Sequence, residues 1–118
     1  MPSSQYPNYI RTCRRRAGLT QEEVAFLLGS KSSAGISRHE RLKQTPDLET
    51  LLAYELLFQT PVRNLFNSTH KEVEQKLKQR IRLLIRKLTK AGDGMRIKRK
   101  IEILTAFLGE RMSLQEAR

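Results

Sequence analysis

Apolar residues recur along this chain at intervals of three and four, the spacing of one face of an α-helix. No stretch alternates apolar and polar residues long enough to predict a strand. The sequence therefore predicts an all-α fold. Ile10, Cys13 and Ala17 mark a first helix over about Tyr9 to Ala17, with Arg11, Arg14, Arg15 and Arg16 around them and Gly18 ending it. Val24, Ala25, Leu27 and Leu28 are expected to supply the buried side of a second helix. It opens at Thr20-Gln21-Glu22-Glu23, where a Thr followed three residues later by Glu forms a capping box. Gly29 follows its end. A third helix is expected over Ser33 to Leu42, with Ile36 facing the core and Ser33, Ser37 and Arg38 facing out. A fourth, capped by Asp47, runs to about Phe58 with Leu48, Leu51, Leu52, Leu57 and Phe58 on its apolar face and Tyr54 in the core. Thr60 as N-cap and Pro61 at the first helical position predict a short fifth helix, closed by Val62, Leu65 and Phe66.

The pattern changes near Asn67-Ser68-Thr69. Beyond it the apolar stripe Val73, Leu77, Ile81, Leu84, Ile85, Leu88 belongs to a longer helix, and its 77-81-84-88 spacing resembles a coiled-coil seam. Ala91-Gly92-Asp93-Gly94 reads as a short loop, and Ile97, Ile101, Leu104 and Leu108 repeat the spacing in a second long helix. The expected organisation is two units, a five-helix domain over residues 1–67 and a basic antiparallel helical hairpin over 68–118. Two narrow stripes make a thin core by themselves. Leu77, Ile81, Leu84, Leu88, Ile97, Ile101, Leu104 and Leu108 are therefore the expected dimer interface, with an intramolecular brace on the first and fifth helices as the alternative.

Charge sharpens this division. The net charge is +11, and its distribution along the chain is uneven. Residues 1–17 carry +4, residues 18–70 carry −1, residues 71–100 carry +9 and residues 101–118 carry −1. An excess of this size favours a polyanionic partner such as nucleic acid. The lone cysteine, Cys13, has no partner for an internal disulfide and sits at core spacing, so a reducing, cytoplasmic setting is expected. The polar start Met1 to Asn8 does not read as a signal peptide. No apolar run approaches the roughly 18 residues of a membrane span. His39 and His70 lack the spacing of metal ligands. With no glycine-rich phosphate loop and no nucleophile–base set, neither a metal, nor a cofactor, nor an enzymatic activity is expected.

Three runs carry a resemblance. Ala17-Gly18-Leu19-Thr20-Gln21-Glu22-Glu23-Val24-Ala25, Ile36-Ser37-Arg38-His39-Glu40-Arg41 and Pro46-Asp47-Leu48-Glu49-Thr50-Leu51-Leu52 resemble successive helices of the Cro and phage-repressor (XRE-type) helix-turn-helix superfamily. The resemblance spans roughly residues 9 to 66, five helical signals in order. It implies that Gln21 grips a DNA phosphate. Ser33, Ala34, Ser37 and Arg38 would look at base edges, and Ser32 would cap the recognition helix beside Lys31 in the turn. Arg41, Lys43 and Gln44 would lie in a second phosphate-contacting loop, and Arg14 and Glu40 would form a structural ion pair. The stretch from Gly29 to Ile36 is one residue longer than the usual pattern. The extra residue either lengthens the turn around Ser30-Lys31-Ser32 or shifts the base-facing register by one. Gly35 within the helix either permits close backbone approach or leaves the segment loosely ordered.

The resemblance implies a cytoplasmic homodimeric transcriptional regulator that reads an inverted repeat in double-stranded DNA; repression would follow from promoter occlusion, and activation is equally compatible with the sequence. A protein-interaction role is the alternative, for example an antitoxin whose C-terminal hairpin binds a partner protein. The twelve Lys and Arg residues over 71–100 either reach flanking phosphates or form a solvated face.

Overall fold

The computed structural model describes residues 7–116, with side chains described through Gly109. Its regular elements are all α-helices: α1 (Ile10–Arg16), α2 (Gln21–Leu27), α3 (Ala34–Glu40), α4 (Leu48–Phe58), α5 (Val62–Leu65), α6 (Asn67–Ala91) and α7 (Met95–Glu116). The all-α expectation therefore holds for the described residues. The chain forms two compact units, Met1–Lys71 and Glu72–Arg118. Asn67-Ser68-Thr69 is the first turn of α6 rather than a linker.

In the first unit, Ile10, Val24, Ala25, Ile36, Tyr54, Leu65 and Phe66 form the buried core, with Cys13, Leu28, Leu42, Leu51 and Phe58 among the residues packed against it. Every one of the five short helices contributes to this cluster, which is how helices too short to persist alone become stable. Leu27, expected inside, is 54% exposed. The inward face of α2 is set by Val24, Ala25 and Leu28, and Leu27 lies roughly 110° round the helix from its centre at 3.6 residues per turn. Leu48 and Leu52 are corrected likewise, being 71% and 50% exposed. Tyr54 marks the inward line of α4, and Leu48, Leu52 and Leu56 fall roughly 120–160° from it.

Three helices end in the same way. After α1, Leu19 N–H donates to Arg14 O (3.1 Å) and Gly18 N–H to Arg15 O (3.0 Å). After α2, Ser30 N–H donates to Ala25 O (2.8 Å) and Gly29 N–H to Phe26 O (3.1 Å). After α3, Lys43 N–H donates to Arg38 O (2.8 Å) and Leu42 N–H to His39 O (3.1 Å). Each is a Schellman motif, which needs one residue in the left-handed region. Gly18, Gly29 and Leu42 fill that position with φ of 75°, 73° and 55°. The third helix thus stops at Glu40, short of the expected Leu42, because Leu42 itself turns the chain.

At the helix starts, Thr20 Oγ1 accepts from Glu23 N–H (3.0 Å) and Glu23 Oε1 accepts from Thr20 N–H (2.8 Å), the full capping box. Asp47 Oδ1 accepts from Thr50 N–H at 2.9 Å at the head of α4. Two expected caps differ. Ser33, not Ser32, precedes α3; it already has helical dihedrals and makes no side-chain cap bond. Pro61 stands before α5 with ψ of 146°, so it is the cap rather than the first helical residue. Thr60 Oγ1 donates instead to Phe58 O (2.9 Å), and Glu55 Oε1 reaches from α4 to accept from Val62 N–H (2.9 Å). The N-terminal end is fastened by Tyr9 N–H to Leu65 O at 2.8 Å.

The second unit consists of α6 beyond Lys71 and α7, joined through residues 92–94. Of the seam residues, Ile81 is buried, Leu77 and Leu84 are each 45% exposed, and Leu88, Ile97, Ile101, Leu104 and Leu108 are half-buried. Lys78, one of the twelve basic residues expected either to reach flanking phosphates or to form a solvated face, is buried.

Candidate nucleic-acid interface

Helix α3 has two faces. Ile36, His39 and Glu40 are buried, at the i, i+3, i+4 spacing of one side. The opposite side presents Ala34 and Arg38 to solvent, with Ser33, Gly35 and Ser37 half-buried between, and Arg41 and Lys43 exposed just past the helix. Ser30-Lys31-Ser32 lies outside both neighbouring helices, so the turn between α2 and α3 holds this segment. At Gly35 an added Cβ would meet only Ser30 Oγ at 3.9 Å, an ordinary contact. The glycine therefore answers no close approach within the chain.

The buried side is fastened from three directions. From α4, Tyr54 Oη lies 2.9 Å from His39 Nδ1, and the two rings meet edge to face. Burial lowers the His39 pKa, with the Arg38 charge acting in the same direction and the Asp47 carboxylate opposing. Burial also pushes the Tyr54 hydroxyl well above the usual phenol range, helped by the Glu40 charge. Both groups are accordingly neutral at physiological pH, as a buried neutral hydrogen bond requires. From the N-terminal segment, Asn8 Nδ2 donates to His39 O (2.9 Å) while its Oδ1 accepts from Ile10 N–H (2.9 Å), tying the start of α1 to the end of α3.

The third fastening is ionic. Glu40, whose side chain is 2% exposed, accepts from Arg14 Nε at 2.6 Å on Oε2 and from Arg14 Nη2 at 3.4 Å on Oε1. Arg14 Nη1 donates to Leu19 O at 2.9 Å, so its planar fork spans α3 and the α1–α2 turn at once. Gln21 Nε2 donates to Glu40 Oε1 at 3.2 Å. Arg14 on α1, Gln21 at the head of α2 and Glu40 at the end of α3 thus form one network. Gln21 uses one of its two amide hydrogens there and retains the other. An open groove of about 470 Å³ passes this point, bordered by Arg14, Arg15, Thr20, Gln21 and Ser33 among others.

A second groove, of about 310 Å³, is bordered by Lys31, Ser32, Arg38 and Gln44 together with Ser30, Gly35, His39, Thr45, Asp47 and Thr50. Across it Arg38 Nε donates to Gln44 Oε1 at 2.9 Å. The structure therefore gathers Gln21 and Ser33 along one groove and Lys31, Ser32, Arg38 and Gln44 along the other. Ala34, Ser37, Arg41 and Lys43 border neither. Sequence reasoning did not anticipate the joints that hold this surface. Asn8 and the His39–Tyr54 contact connect residues 31 and 15 positions apart, and no local pattern announces them.

A helix-turn-helix family model matches residues 10–65, which are α1 through α5. The chain is also similar to the cryptic phage CTXphi transcriptional repressor RstR of Vibrio cholerae. The two are 29% identical over 79 residues, covering 67% of this chain and 70% of the repressor. No solved structure matches at a significant level. Residues 10–65, α1 through α5, therefore match a helix-turn-helix domain. Among the described residues, no helix is long and apolar enough to cross a membrane.

Proposed function

We propose that this protein is a transcriptional repressor that binds operator DNA sequence-specifically as a homodimer, with α3 in the major groove. The observation that carries the reading is the division of α3. One side is locked into the domain through His39 and Glu40, and the other offers Ala34, Ser37 and Arg38 on a rigid support. Small and hydrogen-bonding side chains let a helix approach base edges closely. Arg38 suits guanine, whose O6 and N7 acceptors match two parallel guanidinium donors. Gln21, Lys43 and Arg41 flank this surface and serve the phosphates, fixing orientation without reading sequence. Similarity to a phage repressor supports repression as the outcome.

Dimerisation rests on α6 and α7. Leu77 and Leu84 of the seam are exposed, as are Val73, Met95 and Ile103 near it. A dimer reading an inverted repeat calls for two α3 helices in successive major grooves about 34 Å apart. Selection of bound duplexes from a random library at near-physiological salt tests the proposal. An inverted repeat with half-sites about one helical turn apart is expected. Enrichment of a single half-site would remove the dimer, and binding without enrichment would remove sequence reading altogether.

A further inference from the structure

We propose that Gln44 is a positioning residue for base reading, which holds the Arg38 guanidinium so that its outer edge meets a guanine. The inference rests on the placement of Arg38 at base edges given above, and it assigns Gln44 a role other than phosphate contact.

Arg38 and Gln44 are joined twice. Gln44 N–H lies 3.4 Å from Arg38 O, beside the 2.8 Å bond from Lys43 N–H to the same carbonyl. Their side chains meet again where Arg38 Nε donates to Gln44 Oε1 at 2.9 Å. Leu42, at φ of 55°, reverses the chain so that the loop after α3 returns alongside the helix it has just left. The backbone of residue 44 is thereby placed against residue 38, and the Gln44 amide needs little freedom to reach the guanidinium.

The chemistry of the guanidinium gives this bond a consequence. An arginine can offer two different donor pairs, one edge comprising Nε with one Nη and the other comprising both Nη groups. Engaging Nε with Gln44 removes the first edge. The remaining pair, Nη1 and Nη2, is the planar fork that matches O6 and N7 of guanine. Arg38 is exposed, and a free arginine there would sample many rotamers and also drift to neighbouring phosphates. Anchoring Nε confines it before DNA arrives, so less freedom is lost when the base is bound. A glutamine suits this work: its carbonyl accepts from Nε while adding no charge to a surface that faces phosphate.

The test compares the full-length protein with Arg38→Ala, Gln44→Ala, Gln44→Glu and the double variant Arg38→Ala/Gln44→Ala. Each is titrated against the duplex preferred by the wild type and against single-base variants of it, at two salt concentrations. Arg38→Ala is expected to relax one base position by about tenfold or more. Gln44→Ala is expected to relax that same position by roughly threefold to tenfold, and to add nothing once Arg38 is absent. Gln44→Glu keeps the acceptor for Nε, so discrimination at that position should persist even as affinity for every duplex falls. The proposal is overturned if Gln44→Ala weakens all duplexes alike and lessens the salt dependence, which is the behaviour of a phosphate contact. If Arg38→Ala relaxes no position, the placement of Arg38 at a base edge fails first and this inference fails with it.

Discussion

Replacing Arg14 by alanine should remove most of the stability of the helix-turn-helix domain, and the size of the effect can be worked from the geometry. The substitution leaves the Glu40 carboxylate, 2% exposed, with Gln21 Nε2 as its remaining side-chain donor. Breaking a buried pair by removing one partner costs about 3–5 kcal/mol, because an uncompensated charge stays behind. Arg14 is itself 12% exposed, so water can reach its end of the site and the expected value sits near the lower limit. Loss of its bond to Leu19 O adds about 1 kcal/mol. A domain of this size has total stability on the order of 5 kcal/mol, so a loss of about 4 kcal/mol leaves the single variant only marginally folded. The double variant Arg14→Met/Glu40→Leu removes both charges and should recover most of the loss. Urea unfolding followed by circular dichroism, for the wild type, both single variants and the double variant, reads these differences directly. A cost below about 1 kcal/mol for Arg14→Ala, or a double variant as unstable as the sum of the singles, would refute the view that the pair acts as a buried unit.

Three further predictions concern the support beneath α3. Gly35→Ala should stabilise the domain by about 0.5–1 kcal/mol in thermal unfolding, since the added methyl meets only Ser30 Oγ at 3.9 Å and helix propensity rises; a loss of stability would show an unrecognised constraint. Stability should also decline as the pH falls below about 6.5, the ordinary histidine value, because the unfolded chain then binds a proton that buried His39 resists. Above that value the contribution is complete. Tyr54→Phe should cost about 1–2 kcal/mol at neutral pH by leaving His39 Nδ1 without its partner; a flat pH profile across this range in the wild type would contradict the assignment.

What was legible in the sequence, and what was not, follows from how local each determinant is. The capping box at Thr20 and Glu23 and the cap at Asp47 lie within four residues of what they bond, and both were readable. The ends of α1 and α2 were readable because glycine occupies the left-handed position. The end of α3 was misplaced because Leu42 fills that same position, and a partly buried leucine reads as helix continuation. The inward face of α4 was blurred by leucines on both of its sides; only Tyr54, whose hydroxyl finds His39, marks which side turns inward. The networks at Glu40 and Arg38 join residues whose pairing depends on how helices cross, so composition and periodicity were silent about Gln21 meeting Glu40 and Gln44 meeting Arg38.

The central claim is that α3 reads the major groove. Dimethyl sulfate probing of the bound, selected duplex tests it most directly, since guanine N7 is methylated from the major groove and adenine N3 from the minor groove. Protection of guanine N7 is expected in each half-site, lost at one guanine in Arg38→Ala and unchanged there in Lys43→Ala. Protection confined to adenine N3, or an Arg38→Ala pattern identical to that of the wild type, would contradict it.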